Sequence, residues 1–303
     1  MPFVQKEYLL RKRTKAFLFL INELGYTQKE AQRLIAKGRL SVNGEVMSHT
    51  SGYAEGRLSF ICFEPESRGL EPIFHTPDFA VYDKPTGVLV HPQNRHTSYS
   101  VIDEAKHSFG KDANITHRID QETSGLLLIS KNKISERRLK MMFENREIKK
   151  SYLALVHGKF PVELRVEAPL LRREDESTIV RMVVRVHEEG KASLTNFKRI
   201  CYYPELDMSL VEAFPHTGRQ HQIRVHLFHV KHPIVGDPIY GQSEEDVVRF
   251  LDREISKEER VEKSGASRLM LHANRLSFIY GPEFCISSKD IFATDPLSQL
   301  GPV

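Results

Sequence analysis

The stretch His117-Arg118-Ile119-Asp120-Gln121-Glu122-Thr123-Ser124-Gly125-Leu126-Leu127-Leu128 constrains this chain more than any other. Its polar first half closes on Thr123-Ser124-Gly125, a turn composition, and the apolar run Leu126 to Ile129 suits a buried strand. The turn is therefore held at the edge of a core. Asp120 follows Arg118 by two residues and meets no further lysine or arginine until Lys131, so it sits in a loop where a fixed cation keeps it ionised. A positioned carboxylate on a rigid support suggests catalysis. The alternative is a turn cap, because Asp, Thr and Ser beside Gly bond their own backbone. The stretch alone leaves both open.

At 303 residues, with 40% hydrophobic and 28% charged side chains, the chain has a folded composition, long enough for one large or two ordinary domains. No apolar run approaches the ~20 residues that span a bilayer, and Met1 to Glu7 lacks a signal-peptide apolar core. We expect a cytoplasmic protein that does not engage a membrane. Cys62, Cys201 and Cys285 are scattered and odd in number, which fits structural thiols in a reducing compartment. Net charge is only +4 but unevenly placed. Residues 1–62 hold ten Lys/Arg against five Glu, and residues 131–150 hold eight against three. Two basic patches point to a polyanion, although a basic helix is often only a solvated face.

In chain order, residues 14–24 read as a helix, with Phe17, Leu20, Ile21 and Leu24 at helical spacing and Gly25 as the stop. A second helix starts at Thr27, which with Glu30 forms a capping box; it buries Ala31, Leu34 and Ile35 and ends at Gly38. Leu40 to Val42 and Glu45-Val46 flank Asn43-Gly44, a strong hairpin signal. Lys29, Arg33 and Lys37 recur every fourth residue on one helix side, a natural phosphate contact. The breaker-rich segment 64–72 is the expected linker between a domain at 1–63 and another at 73–303.

Beyond it, Phe79 to Tyr82 and Val88 to Val90 look like strands around the turn Lys84-Pro85-Thr86-Gly87, and Ser98 to Phe109 like a helix. Ser135 to Asn145 reads as a helix with Leu139, Met142 and Phe143 inward, followed by a strand from Tyr152 to Val156. Ile179 to Val186, Leu194 to Ile200 and Ser209 to Ala213 add strands without long helices between them, so the second domain is α+β with much antiparallel sheet.

His216-Thr217-Gly218-Arg219-Gln220-His221-Gln222-Ile223-Arg224-Val225-His226 is a turn entering a helix that buries Ile223, Leu227 and Val230. Arginine forks at a helix start match phosphate or carboxylate. His226, His229 and His232 drift around the helix without cysteine or acidic companions, a poor zinc set. Gly236 to Gly241 is a loop more often architectural than chemical.

Two groups of residues carry family resemblances. Leu34-Ile35-Ala36-Lys37-Gly38 with Val42-Asn43-Gly44 resembles an S4-type RNA-binding domain, except that Gly56-Arg57 stands where such modules usually have Gly-Asp. Lys84-Pro85-Thr86-Gly87 with His91-Pro92, then His117 to Leu128, Lys150-Ser151-Tyr152, Gly218 to His226, and Gly236-Asp237 with Tyr240 resemble, in order and spacing, the RluA-type pseudouridine synthases. Ile119, Asp83 and Thr86 depart from the commoner Leu, Asn and Ser.

The resemblance implies an α+β architecture, a mixed and largely antiparallel catalytic sheet preceded by a small α/β S4-like domain. It implies isomerisation of uridine within RNA, with Asp120 essential, Tyr152 packing on the base and helping to remove the C5 proton, and Arg224 pairing with the aspartate. Arg118 would enter the space left by a flipped nucleotide, and His117, Arg219 and Gln222 would join Lys29, Arg33 and Lys37 in binding RNA. No cofactor or metal is required, and a monomer is expected. Ribosomal RNA is the favoured target, tRNA the runner-up. Two rivals are a hydrolase using Asp120 with Glu122, which lie too close in one loop to flank a glycosidic bond, and a non-catalytic RNA-binding or ribosome-assembly factor.

Overall fold

The computed structural model describes residues 2–172, 183–290, 292 and 295–300. A strand, Phe3–Lys15 (β1), occupies the region before the first expected helix, where the sequence pattern signals none. Val4, Tyr8 and Leu10 pack inward from it while Arg11, Lys12 and Arg13 stay in solvent, so the charge masks the alternation of a strand. The helix expected over 14–24 shortens to Ala16–Asn22 (α1).

Gln28–Ala36 (α2) begins at Thr27, whose backbone N–H and hydroxyl both donate to the Glu30 carboxylate while the Glu30 N–H donates to the Thr27 hydroxyl. Ala31 and Ile35 are buried, and Lys29, Arg33 and Lys37 are all exposed. Asn43 and Gly44 take φ of 49° and 89°, the left-handed pair that a tight hairpin needs between Leu40–Val42 (β2) and Glu45–Val46 (β3). Tyr53–Phe63 (β4) completes a sheet in the order β1-β4-β2-β3, with a core of its own around Leu20, Ile35, Leu58 and Phe60.

Residues 64–71 form no helix or strand, yet they are docked. The Ser67 hydroxyl and the Arg68 N–H each donate to Glu104 at 2.6 Å, and the Arg68 guanidinium lies 4.6 Å over the Tyr99 ring.

The second unit is built on a ten-stranded sheet. Its strands are Pro72–His75 (β5), Phe79–Lys84 (β6), Asn114–Ile115 (β7), Ser124–Ser130 (β8), Lys149–His157 (β9) and Glu163–Glu167 (β10). Leu170–Arg172 (β11) and Val184–Val186 (β12) pair separately, and Leu194–Tyr203 (β13), Met208–Pro215 (β14), Leu271–Ile279 (β15) and Glu283–Ser287 (β16) complete the large sheet. The main order is β10-β13-β14-β9-β15-β8-β6-β5, and β8 with β15 is the parallel pair among otherwise antiparallel neighbours. Helices Val101–Phe109 (α3), Lys133–Glu144 (α4), Gln222–His229 (α5), Glu244–Leu251 (α6) and Lys257–Ser264 (α7) accompany it, which makes the fold α+β as expected.

Two expected strands differ. Val88 to Val90 forms only a single bridge, Leu89 to Ser100. Its carbonyls accept instead from the Lys84 ammonium and from the N–H groups of Val101 and Ile102, so the segment serves the start of α3 rather than a ladder. Of Ile179 to Val186, the last three residues are β12, while 179–182 lie outside the described residues.

All seven residues of β8 are buried; β6 pairs along one edge from Gly125 to Ser130, β15 pairs with Ser124 and Gly125, and α4 packs against the strand. Gly125 makes the close approach to β15 possible. Its φ is +103°, and a Cβ there would lie 2.3 Å from the Ala273 carbonyl oxygen. Gly125→Ala is expected to lower unfolding free energy by about 2 kcal/mol or more in urea titrations. A change below about 0.5 kcal/mol would show that this approach yields without strain.

Candidate active site

The loop between β7 and β8 carries Asp120, and its backbone is clamped from one side by the turn after β6. Lys84 is fully buried and donates to the carbonyls of Pro85, Val88 and Gln121 at 2.9 to 3.0 Å. Burial pushes its ammonium down to about 7 against the opposing charges of Glu122 and Asp120. Gly87 and Gln121 exchange two hydrogen bonds, N–H to carbonyl at 3.0 Å and side-chain amide to carbonyl at 2.9 Å. The Thr86 hydroxyl donates to the Glu122 carbonyl at 2.7 Å. The turn is closed by the Thr123 N–H on the Asp120 carbonyl, which leaves the Asp120 carboxylate free of capping duty.

His117 braces the other end of the loop. Its Nε2 accepts from the Leu128 N–H at 3.0 Å, and its ring lies 4.4 Å from that of Phe143. Burial, with help from the Lys150 charge, pushes it down to about 3, so it is neutral at ordinary pH. The expected RNA contact is thus corrected to an internal strut.

The Asp120 carboxylate meets Arg224 Nη1 at 3.4 Å. Arg224 is 3% exposed and uses Nε and Nη2 to grip both oxygens of Asp237, each at 2.8 Å. Asp237 is itself buried and also accepts the N–H groups of Ile239 and Tyr240. Burial opposes the Asp237 charge, but Arg224 and those N–H groups overcome it and hold the carboxyl below its ordinary 3.8. The guanidinium is likewise disfavoured by burial and more than compensated by Asp237 and Asp120. The Gly236 to Gly241 loop is architectural in a specific way: it orients the arginine.

His221, which sequence reasoning left out, sits 3.8 Å from Asp120 through Nε2 and 2.9 Å from the Tyr240 hydroxyl through Nδ1. That hydroxyl also accepts the Val184 N–H, so Tyr240 ties the His221 ring to β12. His221 has φ of +54°, an unusual conformation for a residue with a side chain. Burial, then the Arg224 charge, pushes it down to about 4.

Tyr152, in β9, completes the site. Burial and the Asp120 charge push its phenol up, so it stays protonated. A cavity of about 90 Å³ is bordered by Asp120, Tyr152, Arg224, His221, Lys150 and Arg118. Arg219 and Gln222 border it too, but Gln222 is 4% exposed. The Gln222 amide accepts from the Thr217 hydroxyl and the Arg219 N–H and donates to the Leu194 carbonyl and Thr195. Its expected RNA contact is therefore corrected to a brace of the turn before α5. Lys29, Arg33 and Lys37 lie on the first unit and do not line this cavity.

Glu122 does not border the cavity and pairs with Arg260 at 2.8 Å, which removes the paired-carboxylate arrangement a hydrolase would need. His226 bonds Ser193 and Thr195, and His232 bonds the His157 carbonyl, so these rings serve different partners.

The family described as RNA pseudouridylate synthase matches residues 78–229, the span that holds Asp120, Tyr152, His221 and Arg224. The chain belongs to the RluA-type RNA pseudouridine synthases. An uncharacterized RNA pseudouridine synthase of Helicobacter pylori is 37% identical over 278 residues, 92% of this chain and 91% of that relative. Ribosomal large subunit pseudouridine synthase D of Buchnera aphidicola is 33% identical, across 70% of this chain and 66% of its own. tRNA pseudouridine synthase C of Pasteurella multocida is also 33% identical, across 70% and 86%. Among solved structures, human RNA pseudouridylate synthase domain containing 1 superposes with a TM-score of 0.60 at 25% identity, covering 80% of this synthase and 92% of that chain. The synthase is accordingly an enzyme that forms pseudouridine in RNA, and a purely non-catalytic binding factor is set aside.

The Arg224–Asp237 pair supplies a stability prediction. The Asp237 carboxyl is lower in the folded state than in the unfolded chain, so its contribution is complete above about pH 4 and disappears as pH falls through the folded value. Asp237→Asn is expected to cost about 3 kcal/mol at pH 7 and to flatten the loss of stability as pH falls below about 4. Denaturant titrations across that range check both, and an unaltered acid limb would remove Asp237 from this role.

Proposed function

We propose that this synthase converts specific uridines of ribosomal RNA to pseudouridine, with Asp120 as the residue that acts on the sugar–base linkage. The observation carrying this reading is the Asp120 carboxylate, 28% exposed at a cavity, with Arg224 fixed behind it by Asp237 and Tyr152 beside it. A carboxylate used in this way has to be held in one orientation while the substrate displaces water, and a guanidinium that cannot move away supplies a fixed partner for it.

The reaction breaks the N1–C1′ bond, turns the uracil and joins C5 to C1′. The C5 proton departs and N1 gains one, so nothing is oxidised or reduced and no cofactor enters the balance. Tyr152 offers an aromatic face to the base and a phenol held protonated, suited to relaying that proton rather than to acting as a strong base. The uridine has to leave its stack, at a cost of a few kcal/mol. In this reading Arg118, which is exposed and borders the cavity, occupies the space it leaves. Whatever the order of bond-making, Arg224 keeps the carboxylate aimed.

Residues 1–63 act in this reading as an S4-like RNA-binding domain, joined through the docked segment 64–72 to a catalytic domain at 73–303. The exposed row Lys29, Arg33 and Lys37 supports it, with Arg11, Lys12, Arg13 and Lys15 exposed at the end of β1. A second binding unit suits a large structured RNA, and the relative named for the large ribosomal subunit agrees. The relative named for tRNA keeps tRNA as the second reading.

Pseudouridine mapping by carbodiimide-blocked primer extension on both RNAs tests this, comparing cells with the wild-type protein, with Asp120→Ala and with none. A ribosomal RNA site lost equally in the last two is expected. Loss confined to tRNA would replace the target, and a site that persists with Asp120→Ala would remove Asp120 from the chemistry. Replacing Lys29, Arg33 and Lys37 together with Gln is expected to weaken RNA binding and reduce the slope of log affinity against log salt by about 2 to 3. Binding titrations from 50 to 200 mM salt read that slope; an unchanged one would take this helix face off the RNA.

A further inference from the structure

The cavity wall carries more positive charge than its own carboxylates balance. Asp120 is the acidic residue bordering it, and Arg224 already engages Asp120, while Arg118, Lys150 and Arg219 border it as well. Of these last three, Lys150 is half-buried while Arg118 and Arg219 are exposed. Alternation along β9 puts Lys150 and Tyr152 on the cavity face and turns Ser151 into the interior. The Lys150 ammonium lies 5.8 Å from the Phe143 ring centroid, and a Cβ on Gly218 would be 3.8 Å from its Nζ. Among the described residues no carboxylate pairs with it, and burial lowers its proton affinity without any opposing charge. Its neighbour His117 is held neutral and so adds no second positive charge there.

A half-buried ammonium without a partner is costly unless an anion arrives with the ligand. Uracil and ribose are uncharged, and the standing negative charge on an RNA nucleotide is its phosphodiester. Resting on the reading that Asp120 and Tyr152 receive the target uridine, we propose that Lys150 binds a phosphodiester adjoining that uridine, with side-chain-free Gly218 leaving the approach open. Base and phosphate would then be read from one strand, two residues apart, so that gripping the backbone also sets the base against Tyr152.

The test is a substitution cycle on a short RNA spanning the mapped uridine, made with phosphate throughout or with a neutral methylphosphonate at either its 5′ or 3′ linkage. Dissociation constants are measured for wild type, Lys150→Met and Lys150→Arg, with thermal melts to confirm folding. One of the two methylphosphonates is expected to weaken wild-type binding about tenfold, and Lys150→Met to weaken the all-phosphate RNA equally. Combining them adds nothing further, and Lys150→Arg restores most of the affinity. Losses that multiply at both linkages overturn the proposal. So does a Lys150→Met enzyme with unchanged affinity and a reduced single-turnover rate, which would put the ammonium on the reacting base. With bulk ribosomal RNA, Lys150→Met is expected to lower the salt slope by about 1, and an unchanged slope also overturns it. Affinity is read without turnover, so a wild-type protein that binds these RNAs but forms no pseudouridine fails the functional reading while the cycle still decides Lys150.

Discussion

A buried guanidinium gripped by one carboxylate and offered to another is the interaction on which the site depends. Arg224 gives two of its hydrogen bonds to Asp237 at 2.8 Å and reaches Asp120 with a third, longer one at 3.4 Å. The asymmetry is informative. Asp237 is buried and holds the charge in place, whereas Asp120 is 28% exposed and keeps an open side toward the cavity. Removing one partner of such a pair strands a charge in low dielectric, at a cost of several kcal/mol, so the loop that carries Asp237 belongs to the site although it lies outside the cavity.

The frame around that interaction is a sheet strand buried on every side. Strand β8 sits between β6 and β15, and the Asp120 loop enters it directly. Lys84 gathers three carbonyls from two loops, and His117 accepts a backbone N–H of β8, so both ends of the Asp120 loop are tied before any substrate is present. Both Lys84 and His117 are chemically capable side chains used for construction, Lys84 through its ammonium protons and His117 through a ring nitrogen kept unprotonated by burial. Holding the loop this way confines the freedom of the carboxylate to its own side-chain torsions.

The capped helix α2 and the Asn43-Gly44 hairpin were legible because their signals are local: a side chain bonding three residues away, and two adjacent residues in left-handed conformations. Strand β1 was not, because Arg11, Lys12 and Arg13 hide its alternation and its pairing with β4 lies some fifty residues away. Val88 to Val90 misled in the opposite direction, since an apolar run describes burial and not ladder pairing. At the site, Asp120, Tyr152 and Arg224 were readable as a set through family resemblance. His221 and Lys150 stood inside the same motifs without being singled out, and Gln222 and His117 were given ligand roles that their internal hydrogen bonds fill otherwise.

The order of motifs along the chain determines that this is an RNA pseudouridine synthase, and it singles out Asp120, Tyr152 and Arg224 as a set. It also determines the α+β class, because strand and helix periodicities are properties of short windows. Tertiary structure alone decided that Arg224 is fixed by Asp237, that Glu122 turns away to Arg260, and that Lys150 borders the cavity with no carboxylate partner among the described residues. Those outcomes depend on which polar atoms meet across segments as much as a hundred residues apart, and on how far burial strengthens each meeting, neither of which any local window contains.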